Sequence, residues 1–487
     1  MSSNFRWKYA AYPVVILFVF LFFGLLTKKL SNGSKESLSN QNVTDEIYIY
    51  SGYRVSDDEI RIALVKNDQS NVQIFYSMGS SRKIQPKVLQ VQCQRSGECP
   101  AKFSPPCLLS GYVGTIRDSK LVDKEISVVR LSTEQKEYTL RIRDVRTNSK
   151  KKKKHKLGVC VQPIFVYADW PQLIQFFEYW LDTGATKFYI YRESYSQEVQ
   201  RVFDFYKANS HAEIELIDWS KLPSRDTWYQ KHFDPNSSWY RLEAFLAIFD
   251  CMHRARGQVQ YVAQSDLDEI FYVNSARNLT DYLEWMEKRN PSMASLNFLS
   301  RRVKVPNYWD KIGHPFDFNF GAIREVEFEK LVFRRDYYSK NIYIPERVKR
   351  FDIHMRRETE LMSVTNSSYV HLNVSVHDAL VLHFRRVNSS IFLWQESELS
   401  SELESWAHRL ERNYLRRLDS DRTGVVDTKE WLNVGIEVLE SIERCRKEQY
   451  ENKMERCYSL LPCEWEAKSV FMGQLEWYTV ANTWGVI

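Results

Sequence analysis

The chain has 487 residues, too many for one ordinary core and enough for two or three domains. Hydrophobic residues make up 44% and aromatic residues 14%, which excludes a disordered chain. Much of the net charge of +6 sits in one lysine run, so no globally basic surface and no nucleic-acid partner are expected.

Residues 10–26 read AAYPVVILFVFLFFGLL without a charge, after Arg6 and Lys8 and before Lys28 and Lys29. This predicts a cytosolic tail at 1–9 and an uncleaved transmembrane signal-anchor at 10–26, at the short end of a spanning helix. The flanking charges nearly balance and do not orient it. Seven glycosylation sequons follow, at Asn32, Asn42, Asn236, Asn278, Asn366, Asn373 and Asn388. All eight cysteines follow as well, without the paired spacing of a zinc site, so disulfides are expected. Both features predict a body in the secretory lumen, behind a Ser- and Asn-rich stem at 27–45.

Residues 46–148 contain short apolar runs separated by turn residues, which predicts a small β-rich module, a spacer or a carbohydrate binder. Residues 149–156 form a Lys-rich linker. Strand and helix patterns then alternate: strands at 157–166, 187–191, 214–217 and 261–264, and helices at 170–181, 199–208, 239–256 and 281–288. This predicts an α/β fold, a mixed, mainly parallel sheet flanked by helices, over 157–440. A helical, disulfide-bonded extension with Trp465, Trp477 and Trp484 is expected at 441–487.

Within the alternating region, Tyr261–Gln264 leads into Asp266-Leu267-Asp268-Glu269. Strand alternation predicts Asp266 and Asp268 on one side, at the strand end where such sheets bind ligands. Two carboxylates there suit a divalent cation shared with substrate phosphates. A rival motif, Asp419 to Glu430, has the spacing of an EF-hand loop, with Gly424 at its sixth position.

Six segments, in order, carry a resemblance: Cys160-Val-Gln-Pro-Ile-Phe165, Phe177-Glu-Tyr-Trp180, Gly184 to Tyr191, Asp250-Cys251, Asp266-Leu-Asp-Glu269 and Val381-Leu-His-Phe-Arg385. Together they resemble glycosyltransferase family 92, whose members have the GT-A nucleotide-sugar fold. The resemblance implies a single-pass type II Golgi membrane enzyme with a luminal catalytic domain. It implies inverting transfer of galactose from UDP-galactose to a glycoprotein or glycolipid glycan, such as a fucose of an N-glycan core. A catalytically silent carbohydrate-binding protein on the same fold is the alternative.

Mn²⁺, or Mg²⁺, is the implied cofactor, with Asp266, Asp268 and His383 as candidate ligands and His354 and His371 as rivals to His383. Asp266 is also a candidate for the ribose, Arg385 for the diphosphate and Glu193 for the uridine pocket. The general base is sought among Asp310, Asp317, Glu325 and Glu327, with Asp317 and Glu325 preferred. Glu269 is expected to support the metal pair. Cys160 and Cys251 are expected as a disulfide or as buried thiols.

Overall fold

The structure is a computed structural model that describes residues 45–487 apart from 79–85, 96–98, 101–106, 123–124, 148–151, 225–233, 275–277, 306–307, 356, 363–364, 387–395, 422, 427–428, 452–456, 470 and 472. The predicted tail, signal-anchor and stem up to residue 44 lie outside the described residues. Among the described residues no helix is long and apolar enough to cross a membrane.

The β-rich region contains β1 (Tyr48–Arg54), β2 (Glu59–Asn67), β3 (Phe75–Met78), β4 (Lys87–Val88), β5 (Gln90–Cys93), β6 (Leu109–Arg117), β7 (Val128–Ser132) and β8 (Glu137–Asp144). Their order is β4-β3-β7-β8-β1-β2-β6-β5. Every residue of β2 is buried, because both of its faces are covered. Ile60, Ile62 and Leu64 face the module's own core, whereas Ala63 and Val65 join a cluster with Phe245 and Leu246 of the following region.

The alternating region runs β9 (His155–Ile164), α1 (Trp170–Asp182), β10 (Ala185–Arg192), β11 (Ser194–Ser196), α2 (Gln197–Asn209), β12 (Glu213–Asp218), α3 (Ala244–Ala255), β13 (Val259–Gln264), β14 (Glu269–Val273) and α4 (Leu279–Arg289). It continues with β15 (Met293–Phe298), β16 (Ser300–Lys304), β17 (Val326–Val332), β18 (Lys340–Tyr343), β19 (Val370–Asn373), β20 (Ala379–Arg385), β21 (Ser397–Ser400), α5 (Glu404–Asp419) and α6 (Gly435–Glu451). The main sheet has the order β12-β10-β9-β13-β18-β15-β19. Its first four strands are parallel, and β18 runs antiparallel to both neighbours. A second sheet, β14-β20-β16-β17-β21, was not foreseen. The predicted α/β class is therefore seen, as a mixed fold.

Helix α1 illustrates why the pattern was readable. Asp169 caps its N-terminus by accepting from the Gln172 amide at 3.1 Å, and Pro171 sits in its first turn. Leu173, Ile174, Phe176, Phe177 and Trp180, at helical spacing, are all buried. Helix α3 departs from its predicted range of 239–256 and begins only at Ala244. Arg241, Leu242 and Glu243 have φ of +43°, +57° and +50°, a left-handed turn that costs L-residues about 1–2 kcal/mol each. Tertiary contacts impose it: Trp219 Nε1 donates to Leu242 O at 2.8 Å, and the Arg241 amide donates to Tyr458 O at 3.3 Å.

Glu243 in this turn is buried against Gly111, where an added Cβ would meet Glu243 Oε1 at 2.7 Å. Burial pushes its carboxyl up to about 8, against the opposing pull of Arg95. A raised carboxyl favours the folded state fully below pH 4.5, and that contribution declines between pH 4.5 and about 8. Glu243→Gln is therefore expected to raise stability at pH 7, by at most about 3 kcal/mol, and to change it little at pH 4.5. Urea midpoints at the two pH values check this.

The C-terminal segment is stitched into the rest. Cys107–Cys457 joins it to the β-rich region, and β23 (Gly485–Val486), after α7 (Glu464–Ser469) and β22 (Trp477–Thr479), pairs with β1. Strand β22 pairs with β11. Residues Asp45–Ile487 accordingly form one compact unit. The remaining cysteines pair as Cys93–Cys99, Cys160–Cys251 and Cys445–Cys463.

Candidate functional site

Strand β13 ends at Gln264, and Asp266 to Asp268 form the turn into β14 rather than more strand. The predicted alternation therefore does not apply, and the two aspartates take different partners. Asp266 Oδ1 accepts from Gln162 Nε2 at 2.6 Å, and its Oδ2 pairs with Lys340 Nζ at 2.8 Å. Both of its oxygens are thus engaged by protein partners.

Asp268 meets His383 instead. Residue 383 lies opposite Glu269 in the antiparallel β14–β20 ladder, and the Phe384 amide donates to Asp268 O at 2.7 Å. This register places His383 Nε2 3.0 Å from Asp268 Oδ2, with Arg385 Nη1 at 3.7 Å from the same oxygen. Burial opposes ionisation of Asp268, but His383, Arg385 and Lys340 outweigh it and hold the carboxyl well below the usual range. Asp268 nonetheless keeps 21% side-chain exposure, open to a ligand.

Glu269 lies behind the pair. It is buried, accepts from the Asp266 amide at 3.1 Å and pairs with Lys340 at 2.9 Å. Burial raises its carboxyl, partly offset by Lys340. Lys340 is itself buried, which would lower its ammonium, but Asp266 and Glu269 outweigh that and push it up. One buried cation thus ties two carboxylates and fixes the turn that presents Asp268.

The rival histidines have other hydrogen-bond partners. His354 Nδ1 is 2.9 Å from Ser339 O, and burial lowers its ring to about 4. His371 contacts Ser295 Oγ through Nδ1 and Arg357 O through Nε2, at 2.6 and 2.7 Å. Glu193 sits at the carboxyl end of β10, where its amide donates to Ile164 O. Its carboxylate accepts from Ser194 Oγ and is buried.

Asp317 and Glu325 are exposed on the connection between β16 and β17, and no described contact brings either to Asp268 or His383. Glu327 is held by Lys304 at 2.9 Å and Ser397 at 2.6 Å, and the Asp310 side chain lies outside the described residues. In the EF-hand-like stretch, Asp421 Oδ1 accepts from the Thr423 amide, the Thr423 hydroxyl and Asn209, and Glu430 lies against Gly313. Among the described residues, no group of three or more His, Cys, Asp or Glu side chains gathers as a metal centre.

The model of glycosyltransferase family 92 matches residues 155–431, more than half of the chain. The chain belongs to glycosyltransferase family 92. The match takes in β9, the Asp266–Glu269 turn and β20. A glycosyltransferase family 92 protein of Caenorhabditis elegans, F13G3.3, is 20% identical over 222 residues, 44% of this chain and 42% of the relative. The chain therefore aligns with less than half of that relative's length. Among solved structures, S. aureus TarS in complex with UDP-GlcNAc is similar over 66% of this chain and 92% of its own, at 12% identity. Its TM-score of 0.24 carries no argument about this fold.

Within the family 92 region, Gln162 and Lys340, the two partners of Asp266, were missed as site residues. Gln162 had a signal, since it lies in the segment Cys160-Val-Gln-Pro that carries the family resemblance. Lys340 had none, because it reaches Asp266 from 74 residues away on an antiparallel strand.

Proposed function

We infer that this family 92 chain is a metal-dependent inverting glycosyltransferase of the Golgi lumen. It transfers galactose from UDP-galactose to a glycan acceptor on a glycoprotein or glycolipid. The observation that carries this reading is the Asp268–His383 contact at 3.0 Å, on the turn after a parallel strand. A hard carboxylate oxygen and an imidazole nitrogen this close fit a divalent cation such as Mn²⁺ or Mg²⁺, whose other ligands come from water and substrate phosphates. When bound there, such an ion supplies positive charge against the diphosphate that develops as the sugar C1–O bond breaks.

The chain's own groups have defined tasks around it. Asp268 and His383 hold the ion. Arg385, 24% exposed and aimed at the same carboxylate, binds diphosphate oxygens. Lys340, Gln162 and Glu269 keep the turn rigid, so that Asp268 is presented without reorganisation. Inversion also needs a carboxylate to take the proton of the acceptor hydroxyl as it attacks C1 from the opposite face, and Asp317 and Glu325, both exposed, are its candidates. Luminal placement is supported by the pairing of all eight cysteines and by the seven sequons beyond the apolar segment.

A donor-by-acceptor screen of the full chain tests the reading. UDP-galactose turnover is expected with Mn²⁺ and is expected to fall to background in EDTA. Undiminished turnover in EDTA would reject the metal role. Saccharide binding without turnover, indifferent to Asp268→Ala, would favour the silent carbohydrate binder instead.

A further inference from the structure

We propose that Asn278 carries an N-linked glycan that is seated in the cleft beside it, covering that part of the α/β core. Four sequon asparagines fall among the described residues, and they differ in what their amides do. Asn236 is buried, with Nδ2 donating to Leu222 O at 3.0 Å and Oδ1 accepting from the Leu222 amide at 2.8 Å. A sugar on that nitrogen is incompatible with this fold. Asn278 is exposed and caps α4 through Oδ1 alone, accepting from the Asp281 amide at 2.8 Å. Substituting its Nδ2 leaves the cap intact. Asn366 and Asn373 are also exposed, but neither lines this cleft.

The cleft has a volume of about 390 Å³, at the small end of ligand-sized sites, and Asn278 is on its wall. Tyr272 and Trp406 give it aromatic surface for the C–H face of a pyranose. Its polar surface comes from Glu402, whose charge acts on the Tyr272 hydroxyl, and from Asp182, held by Arg409 through bonds of 2.9 to 3.1 Å. That bidentate pair is already rigid, so it can meet sugar hydroxyls or an acetamide without being ordered first. Mixed aromatic and fixed polar walls suit an N-acetylhexosamine, the sugar class that is joined to asparagine.

The proposal rests on the luminal placement argued above. In the transfer, an Asn278 Nδ2–H bond is replaced by an Nδ2–C1 bond, and the C1–O bond to a polyprenyl-diphosphate oligosaccharide breaks. The diphosphate leaves with the electron pair, and the proton goes to a base of the transferring enzyme.

The test is expression of the full chain in a eukaryotic secretory host, glycopeptide mass spectrometry, and a thermal double-mutant cycle between Asn278→Asp and Tyr272→Ala. Asn278→Asp keeps a cap acceptor, removes the sugar and adds one negative charge at the start of α4; the charge is present in both arms of the cycle that lack the glycan, so the coupling to Tyr272 reads the sugar. Occupancy at Asn278 with none at Asn236 is expected. Tyr272→Ala is expected to lower the melting temperature at least twofold more with the glycan than without it. An unmodified Asn278 beside an occupied Asn366 or Asn373 would overturn the proposal and leave the luminal placement standing. No occupancy at any sequon would overturn both. An occupied Asn278 without coupling to Tyr272 would overturn the seating.

Discussion

Asp268→Ala is expected to lower kcat/KM for sugar transfer by about 10³-fold or more while the protein stays folded. A loss of that size corresponds to about 4 kcal/mol of transition-state stabilisation, the scale on which preorganised charge at a leaving group acts. Three facts carry it. Asp268 is held ionised by His383, Arg385 and Lys340, so it carries its charge at working pH. It is the one aspartate of the turn whose carboxylate is not clamped by Lys340 and Gln162. Its side chain is partly exposed, so truncation opens no buried cavity. Steady-state kinetics beside a circular-dichroism spectrum check both halves of the expectation.

The second large effect falls on stability. Asp250 is fully buried and accepts from Ser51 Oγ and Tyr53 OH at 2.5 Å, from Tyr191 OH, and from Arg254 Nε at 2.5 Å. Its partners come from β1, β10 and α3, so one carboxylate joins the β-rich region to the main sheet. Asp250→Ala would leave three hydroxyls without this acceptor and the largely buried Arg254 guanidinium with Glu215 alone, at 3.2 Å. The expected cost is about 3–5 kcal/mol. Burial raises the Asp250 carboxyl, but Arg254 and the hydrogen bonds prevail and hold it below its ordinary value. Its contribution is therefore fully present above the unfolded value of about 4 and is lost as pH falls through the depressed folded value. Denaturant melts of Asp250→Ala and wild type at pH 7 are expected to show the full difference.

The legible and illegible parts of this molecule divide by the range of the interaction. Helix α1 was readable because its cap, its proline and its apolar stripe all lie within one short window. Asp268 and His383 were readable because each sits at the end of an apolar strand run, and the β14–β20 register then brings them together. The Lys340–Asp266 pair was not, since Lys340 reaches Asp266 from a distant antiparallel strand and leaves no local pattern. The left-handed turn at 241–243 was likewise hidden, because Trp219 and Tyr458 impose it against local preference. Disulfide pairing was beyond reach for the same reason. Cys107 and Cys457 are 350 residues apart, and eight cysteines allow 105 pairings. Seven sequons look alike as triplets, yet burial alone separates Asn236 from Asn278.

The Asp268–His383 pair is proposed above as the metal and diphosphate site of a nucleotide-sugar enzyme. Calorimetric titration of the full chain with UDP, in the presence and absence of Mn²⁺, tests it most directly. Mn²⁺-dependent UDP binding is expected, lost in Asp268→Ala and in His383→Ala. UDP binding of equal affinity without Mn²⁺, or unchanged in Asp268→Ala, would contradict it.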